Sequence, residues 1–155
     1  MQKRYYIAYG SNLNIRQMRM RCPTARIVGT AILSNYELLF KGSKTGAYLT
    51  VERRPGSTVP VAVWEVTAED EKALDRYEGF PTFYYKKELE PVVKSGSEVR
   101  RLKAFMYVMH EDRQTAIPSR AYVETCADGY DDFCFDTRFL EEALNKSMEA
   151  QNERE

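Results

Sequence analysis

The apolar run Tyr5-Tyr6-Ile7-Ala8 sets the first periodicity of the chain, and its aromatic and β-branched residues suit a buried strand. From Asn14 to Arg21 the spacing changes: Ile15 and Met18 recur at helical separation among basic side chains, which predicts a short helix. Between the two lies Tyr9-Gly10-Ser11-Asn12-Leu13, so a strand runs into a tight turn and then into a helix. Gly10 allows the backbone to turn sharply and to approach a ligand closely. Asn12 or Asn14 can cap the helix, while free amides of the turn point outward, a setting that suits a carboxylate or an oxyanion. On these five residues alone, a plain capped connection is the simpler account.

Further along, Pro23 in Arg21-Cys22-Pro23-Thr24 ends the helix. Arg26 to Phe40 reads as extended, with Gly29 or Ser34-Asn35 marking a bulge or bend, and Lys41 to Gly46 reads as a polar loop. Ala47 to Glu52 alternates as a strand, Arg54-Pro55-Gly56-Ser57 supplies turn chemistry, and Val59 to Thr67 is the strongest strand signal. Pro60 places the start of that strand at an edge. Thr67 caps a helix whose first turn is acidic and whose apolar face carries Leu74 and Tyr77; Gly79 and Pro81 stop it. Phe83 to Val93 is extended, Ser95-Gly96-Ser97 turns the chain, and Arg101 to Met109 pairs back as a central strand with both faces apolar. A helix opens at Pro118-Ser119 and carries Tyr122, Val123, Cys126 and Ala127. A last helix runs from Thr137 to Ala150, ahead of a polar, frayed tail from Gln151. This order predicts an α+β fold with a largely antiparallel sheet, and so many strands in a short chain favour curling into a barrel.

At 155 residues the chain fits one domain over residues 1–150 with a tail at 151–155. Hydrophobic residues at 43% and charged residues at 30% place it among globular proteins. With Lys+Arg and Asp+Glu both at 23, no net field favours nucleic acid or a membrane surface, and no stretch is long enough to span one. Cys22, Cys126 and Cys134 are odd in number and lack close pairing, which argues against a disulfide framework or zinc site and for a reducing cytosol. The later two, eight apart, would share one helix face as buried thiols. The residues fix no oligomeric state, a homodimer included.

Chemistry concentrates in a second stretch, Leu74-Asp75-Arg76-Tyr77-Glu78-Gly79-Phe80-Pro81. Glu78 lies at a helix end beside Tyr77, Phe80 and Phe83. A carboxylate drawn into such a pocket loses hydration, its pKa rises, and it can serve as general base and then acid. An ordinary solvated glutamate ahead of a glycine fits the same residues. Ser11 as a nucleophile lacks a G-x-S-x-G elbow, and the single histidine, His110, reads as loop-anchoring. Asp128, Asp131, Asp132 and Asp136 lack calcium-loop spacing and read as a polar helix end.

Taken together, Tyr9-Gly10-Ser11-Asn12-Leu13 after an N-terminal strand and Leu74-Asp75-x-x-Glu78-Gly79 further on resemble the γ-glutamylcyclotransferase-like family. Arg21-Cys22-Pro23, Tyr36-x-Leu38-x-Phe40, Val61-x-Val63-Trp64, Tyr85 and Pro118-Ser119-x-x-Tyr122 follow in the family's order. The resemblance implies a small mixed fold with a barrel-like sheet and a cleft between the first turn and Glu78. It implies an enzyme converting a γ-glutamyl amine or amino acid into 5-oxoproline and the free amine, with no metal or cofactor. It assigns Glu78 as acid/base, Tyr9 and the amides of Gly10, Ser11, Asn12 and Leu13 to substrate or oxyanion binding, and Tyr85 and Tyr122 to the pocket wall. The attack is intramolecular, so one carboxylate and one set of amides suffice. The bulk of Phe80-Pro81-Thr82-Phe83 is expected to favour a compact leaving amine. Two other readings use the same residues: a hydrolase or transferase of another γ-glutamyl conjugate, and a non-catalytic small-molecule binding domain.

Overall fold

The computed structural model describes residues 3–43 and 46–154. Within them, β1 (Arg4–Ala8), β2 (Arg26–Ser43), β3 (Gly46–Val66), β4 (Tyr84–Leu89), β5 (Val92–Ser95), β6 (Glu98–Arg101), β7 (Ala104–Met109) and β8 (Gln114–Thr115) form one sheet. The strand order is β4-β7-β1-β3-β2-β5-β6, with β8 beside β2. Every pairing is antiparallel except β1 with β7, so the sheet is mixed, and it curls into a half-barrel. Four helices accompany it among the described residues: α1 (Ile15–Arg21), α2 (Ala68–Glu78), α3 (Arg120–Asp132) and α4 (Arg138–Arg154).

The long β2–β3 ribbon supplies the curl. Its register shifts between Ile27 and Gly29 and again between Ser34 and Tyr36, so both stretches expected to bulge do so. Pairing resumes from Tyr36 opposite Arg53 to Ser34 opposite Thr58, which leaves Arg54-Pro55-Gly56-Ser57 looping out opposite Asn35. The expected turn there is an outgrowth of a continuing strand, held by the Gly56 amide donating to Asn35 Oδ1 at 3.0 Å. The polar loop expected over Lys41 to Gly46 is shorter, because β2 persists to Ser43; Lys44 and Thr45 lie outside the described residues. Pro60 faces Ile32 of β2 but lies beyond the end of β1, whose last partner is Ala62. It is therefore tolerated without a second ladder.

The hairpin expected around Ser95-Gly96-Ser97 is present, but its arms are interrupted. Glu90-Pro91 splits the first arm into β4 and β5, and Leu102-Lys103 splits the second into β6 and β7, with the Leu102 amide donating to Pro91 O at 3.1 Å. Proline removes a ladder donor, so the pairing breaks where Pro91 falls. β7, buried along its whole length between β4 and β1, is the central strand its apolar faces predict. Trp64, Phe40, Phe105, Tyr107 and Tyr130 are the bulkiest fully buried side chains. Burial of each such side chain stabilises the fold by about 1.5–3 kcal/mol.

Capping follows the sequence. Thr67 and Asp70 form a reciprocal capping box on α2, and Gly79 ends that helix at φ 63°, a conformation glycine adopts without strain. Asn14 Oδ1 accepts the Gln17 amide at 3.1 Å to cap α1, and Asp132 Oδ2 accepts the Ile15 amide at 3.0 Å. The acidic end of α3 thus serves the N-terminus of α1. Two expectations at the C-terminal end fail. Cys134 falls past the end of α3 at φ 58° and is exposed, so it shares no helix face with buried Cys126. Residues 151–154, expected to fray, continue α4.

One contact fixes the position of the first turn. A Cβ on Gly129 of α3 would come within 2.5 Å of the Asn14 nitrogen and 2.7 Å of the Leu13 carbonyl carbon, so only glycine lets α3 press this close. Gly129→Ala raises intrinsic helix propensity by roughly 0.8–1.0 kcal/mol, yet the clash is expected to cost about 1–3 kcal/mol. Thermal unfolding should therefore show a lower Tm than the native chain, and an equal or higher Tm would contradict this packing.

Candidate active site

A cleft of about 350 Å³ opens between the turn at Gly10, Ser11 and Asn12 and the C-terminal end of α2, where Arg76, Tyr77, Glu78 and Gly79 line it. The sheet supplies the rest of the wall through tyrosines: Tyr6 lies on β1 and Tyr9 just after it, Tyr48 on β3, Tyr84 on β4 and Tyr107 on β7. Tyr122 of α3 closes the side near Leu49.

Residues Ser11–Leu13 form a single 3-10 turn. The Leu13 amide donates to Gly10 O and the Asn14 amide to Ser11 O, both at 3.0 Å. That leaves the amides of Gly10, Ser11 and Asn12, at the start of the turn, with no acceptor among the described residues. Leu13 departs from expectation. Its side chain is fully buried, it does not line the cleft, and its amide is bonded within the turn. It anchors the turn from below.

Glu78 is the last residue of α2 and faces this turn across the cleft. Its carboxyl group forms no hydrogen bond or ion pair among the described residues and is surrounded by aromatic walls. Burial pushes its pKa up to about 8, and the nearby Arg21 guanidinium restrains the rise. Arg21, the last residue of α1, lies 3.5 Å over the Tyr77 ring and donates to Asn12 Oδ1 and, at 3.2 Å, to Gln17 Oε1. Tyr77 and Ser11 hydroxyls meet at 3.0 Å, bridging the two sides of the cleft.

The remaining tyrosine hydroxyls divide by the direction of their hydrogen bonds. Tyr9 donates to Tyr107 O at 2.5 Å, Tyr84 to Leu49 O at 2.8 Å and Tyr107 to Asp75 Oδ1 at 2.6 Å. Tyr6 and Tyr122 instead accept, from Asn12 Nδ2 at 2.8 Å and from the Leu49 amide at 3.0 Å. Burial holds the phenols of Tyr6, Tyr9, Tyr84 and Tyr122 well above the usual range, and the charge of Glu78 adds to the rise. All four are neutral near pH 7.

The structure brings Tyr9, Gly10, Ser11, Asn12, Glu78 and Tyr122 to one cleft, but not Tyr85. Alternate residues of a strand face opposite ways, and on β4 it is Tyr84 that faces inward. Tyr85 packs 5.2 Å from the His110 ring and donates to Glu111 Oε2. His110 Nε2 meets Pro81 O at 2.9 Å and does not line the cleft, so Ser11 has Tyr77, not a histidine, as its partner. Of the two phenylalanines after Glu78, only Phe83 lines the cleft. No group of three or more His, Cys, Asp or Glu able to hold a metal ion occurs among the described residues. Sequence reasoning missed Tyr6, Tyr84 and Tyr107 as cleft residues, and Arg21 as the charge that acts on Glu78 from outside the lining. A signal existed for Arg21 alone, which lies one helical turn after Gln17 and next to the break at Cys22-Pro23.

Comparison with known proteins assigns the fold to a family. The family model described as Gamma-glutamyl cyclotransferase, AIG2-like matches residues 6–124. The human protein named gamma-glutamylcyclotransferase is 30% identical over 125 residues, covering 76% of this chain and 64% of the human one. The mouse protein of that name is 27% identical over 132 residues, covering 80% and 68%. The chain thus spans a little under two thirds of the length of the human relative. A solved structure of a gamma-glutamyl cyclotransferase superposes with a TM-score of 0.79 at 25% identity, covering 92% of this chain and 86% of that one. A yeast gamma-glutamyl cyclotransferase described as specific to glutathione shares the fold at a TM-score of 0.64 and 11% identity, covering 95% and 97%. With the model matching well over half of its length, the chain belongs to the AIG2-like gamma-glutamyl cyclotransferase family.

Proposed function

We propose that this protein is a γ-glutamyl cyclotransferase that releases 5-oxoproline and a free amine from a compact γ-glutamyl conjugate. One observation carries the reading: an unpaired carboxyl group, raised to about 8, faces three unoccupied backbone amides across a cleft of about 350 Å³. Ligand cavities commonly measure roughly 300–1,000 Å³, so this one suits a small substrate. The buried free thiols of Cys22 and Cys126 are in keeping with work in a reducing cytosol.

In this reaction the α-amine of the γ-glutamyl group attacks its own δ-carbonyl carbon. A ring C–N bond forms and the amide C–N bond breaks. Glu78 takes a proton from the ammonium and delivers one to the departing nitrogen. In all, the attacking nitrogen gives up two protons and the leaving nitrogen gains two, so the amine departs as an ammonium ion and the carboxylate is regenerated. The amides of Gly10, Ser11 and Asn12 bind the substrate carboxylate or the developing oxyanion, and Tyr122 contacts substrate through its hydroxyl. Tyr9, Tyr84 and Tyr107 shape the wall with their protons directed into the protein.

A panel of γ-glutamyl amines and dipeptides, glutathione included, should yield 5-oxoproline with at least one small member. Glu78→Gln should lower turnover by about 10²–10⁴-fold with the fold retained. No release from any member would remove the enzymatic reading, and near-normal turnover in the variant would remove Glu78 from it. Glutathione as the best substrate would contradict the compact leaving group.

The raised pKa sets the pH behaviour. The base form of Glu78 exists only above its pKa, so kcat/KM should climb about tenfold per unit at lower pH and level off near 8. Arg21→Gln removes the charge that restrains the shift, and the plateau should move to higher pH. A profile unchanged by Arg21→Gln would contradict the electrostatic role of that side chain.

Stability responds with the opposite sign to that of a paired carboxylate. The folded state keeps the Glu78 proton between the ordinary value of 4.5 and about 8, so this residue's contribution to stability falls as pH rises through that window. The Tm of Glu78→Gln relative to native should therefore improve from pH 5 to pH 9. A constant difference would show that Glu78 titrates normally.

A further inference from the structure

The orientation of one hydrogen-bonded chain is dictated by its first member. A guanidinium only donates, so Asn12 must turn its Oδ1 toward Arg21 and its Nδ2 toward Tyr6, the arrangement observed. The Asn12 amide donates to the Tyr6 oxygen at 2.8 Å, which makes that oxygen an acceptor and directs its own proton away from Asn12. No protein acceptor meets that proton among the described residues, and Tyr6 lines the cleft that Glu78 faces. Tyr9, Tyr84 and Tyr107 contrast with it, each donating to a carbonyl or carboxylate of the protein. Tyr122 also accepts, but from a backbone amide with no charged group behind it, and its side chain is hydrogen-bonded to Cys126 as well.

We propose that Tyr6 is a further catalytic residue, donating a hydrogen bond to the δ-carbonyl oxygen of the substrate as negative charge develops there. The inference rests on the cyclotransferase reading and adds to it a side-chain donor outside the Gly10–Leu13 turn. As the amine nitrogen bonds to the carbonyl carbon, the π electron pair moves to oxygen and is held by the Tyr6 O–H. On collapse the pair returns, the amide C–N bond breaks, and Tyr6 retains its proton throughout.

Three features fit this task. Tyr6 is 4% exposed and packed against Phe105 and Tyr107, with ring centroids at 5.5 and 5.8 Å, so the hydroxyl is held in place before substrate arrives. Its phenol stays protonated near neutral pH, raised by burial and by the charge of Glu78. The Arg21 charge polarises Asn12, and through it strengthens Tyr6 as a donor.

The test is steady-state kinetics of Tyr6→Phe on a γ-glutamyl amine that the native protein turns over. Loss of one oxyanion donor lowers kcat by about 10²-fold, with KM within about twofold. A kcat close to native would overturn the proposal. So would a loss confined to KM, which would assign the hydroxyl to ground-state binding. Should Tyr6→Phe fail to fold, 3-fluorotyrosine at position 6 decides the matter, since its phenol is a stronger donor of nearly equal size: kcat should rise, and an unchanged or lower value overturns the role. Absence of 5-oxoproline from the native protein would overturn the cyclotransferase reading and Tyr6 with it, whereas an active native protein with a near-normal Tyr6→Phe counts against Tyr6 alone.

Discussion

A carboxyl group held in poor contact with water, opposite amides that lack acceptors, is the constraint on which the rest of the site depends. Glu78 at about 8 is costly to ionise where it lies, and the cost is what makes it useful for moving protons near neutral pH. The fold tolerates this because α2 is secured at both ends, by the Thr67–Asp70 capping box and by the left-handed Gly79. The aromatic walls that dehydrate the carboxyl come from β1, β3, β4, β7 and α3, so no single element makes the environment. Arg21 adds an opposing charge whose other contacts, on Tyr77, Gln17 and Asn12, keep it from forming a closed ion pair with Glu78.

The turn on the opposite wall is fixed from outside. Gly129 presses α3 against Leu13 and Asn14, Asn14 Nδ2 donates to Thr125 O at 3.1 Å, and Asp132 accepts the first amide of α1. Leu13 fills the core beneath. With its outer amides unused and its inner ones bonded, the turn needs little reorganisation when negative charge arrives. The parallel pairing of β1 with β7 then sets Tyr9 near the Tyr107 carbonyl, 98 residues away in sequence, and carries Tyr6 into the same cleft.

What could be read from sequence was local. Gly10-Ser11-Asn12, Thr67 with Asp70, Glu78-Gly79 and Ser119 each declare a turn or cap within a few residues, and they are where the structure places them. Both bulges of β2 were legible for the same reason. Tyr85, which the resemblance implies as a pocket residue, faces away from the cleft: inward and outward positions alternate along a strand, so a shift of one residue inverts the answer, and Tyr84 takes the inward place. Turn chemistry at Arg54-Pro55-Gly56-Ser57 was real, but nothing local tells whether a strand ends at such residues or loops out and continues. The roles of Arg21, Tyr6 and Gly129 arise from contacts between elements distant in sequence, which no local pattern encodes.

The most direct measurement is a carbon-13 NMR titration of the Glu78 side-chain carboxyl in the free protein, assigned by its disappearance in Glu78→Gln. A midpoint near 8 is the result this account predicts. A midpoint near the ordinary 4.5 would show a well-hydrated carboxylate, and the acid/base role built on its burial would fall.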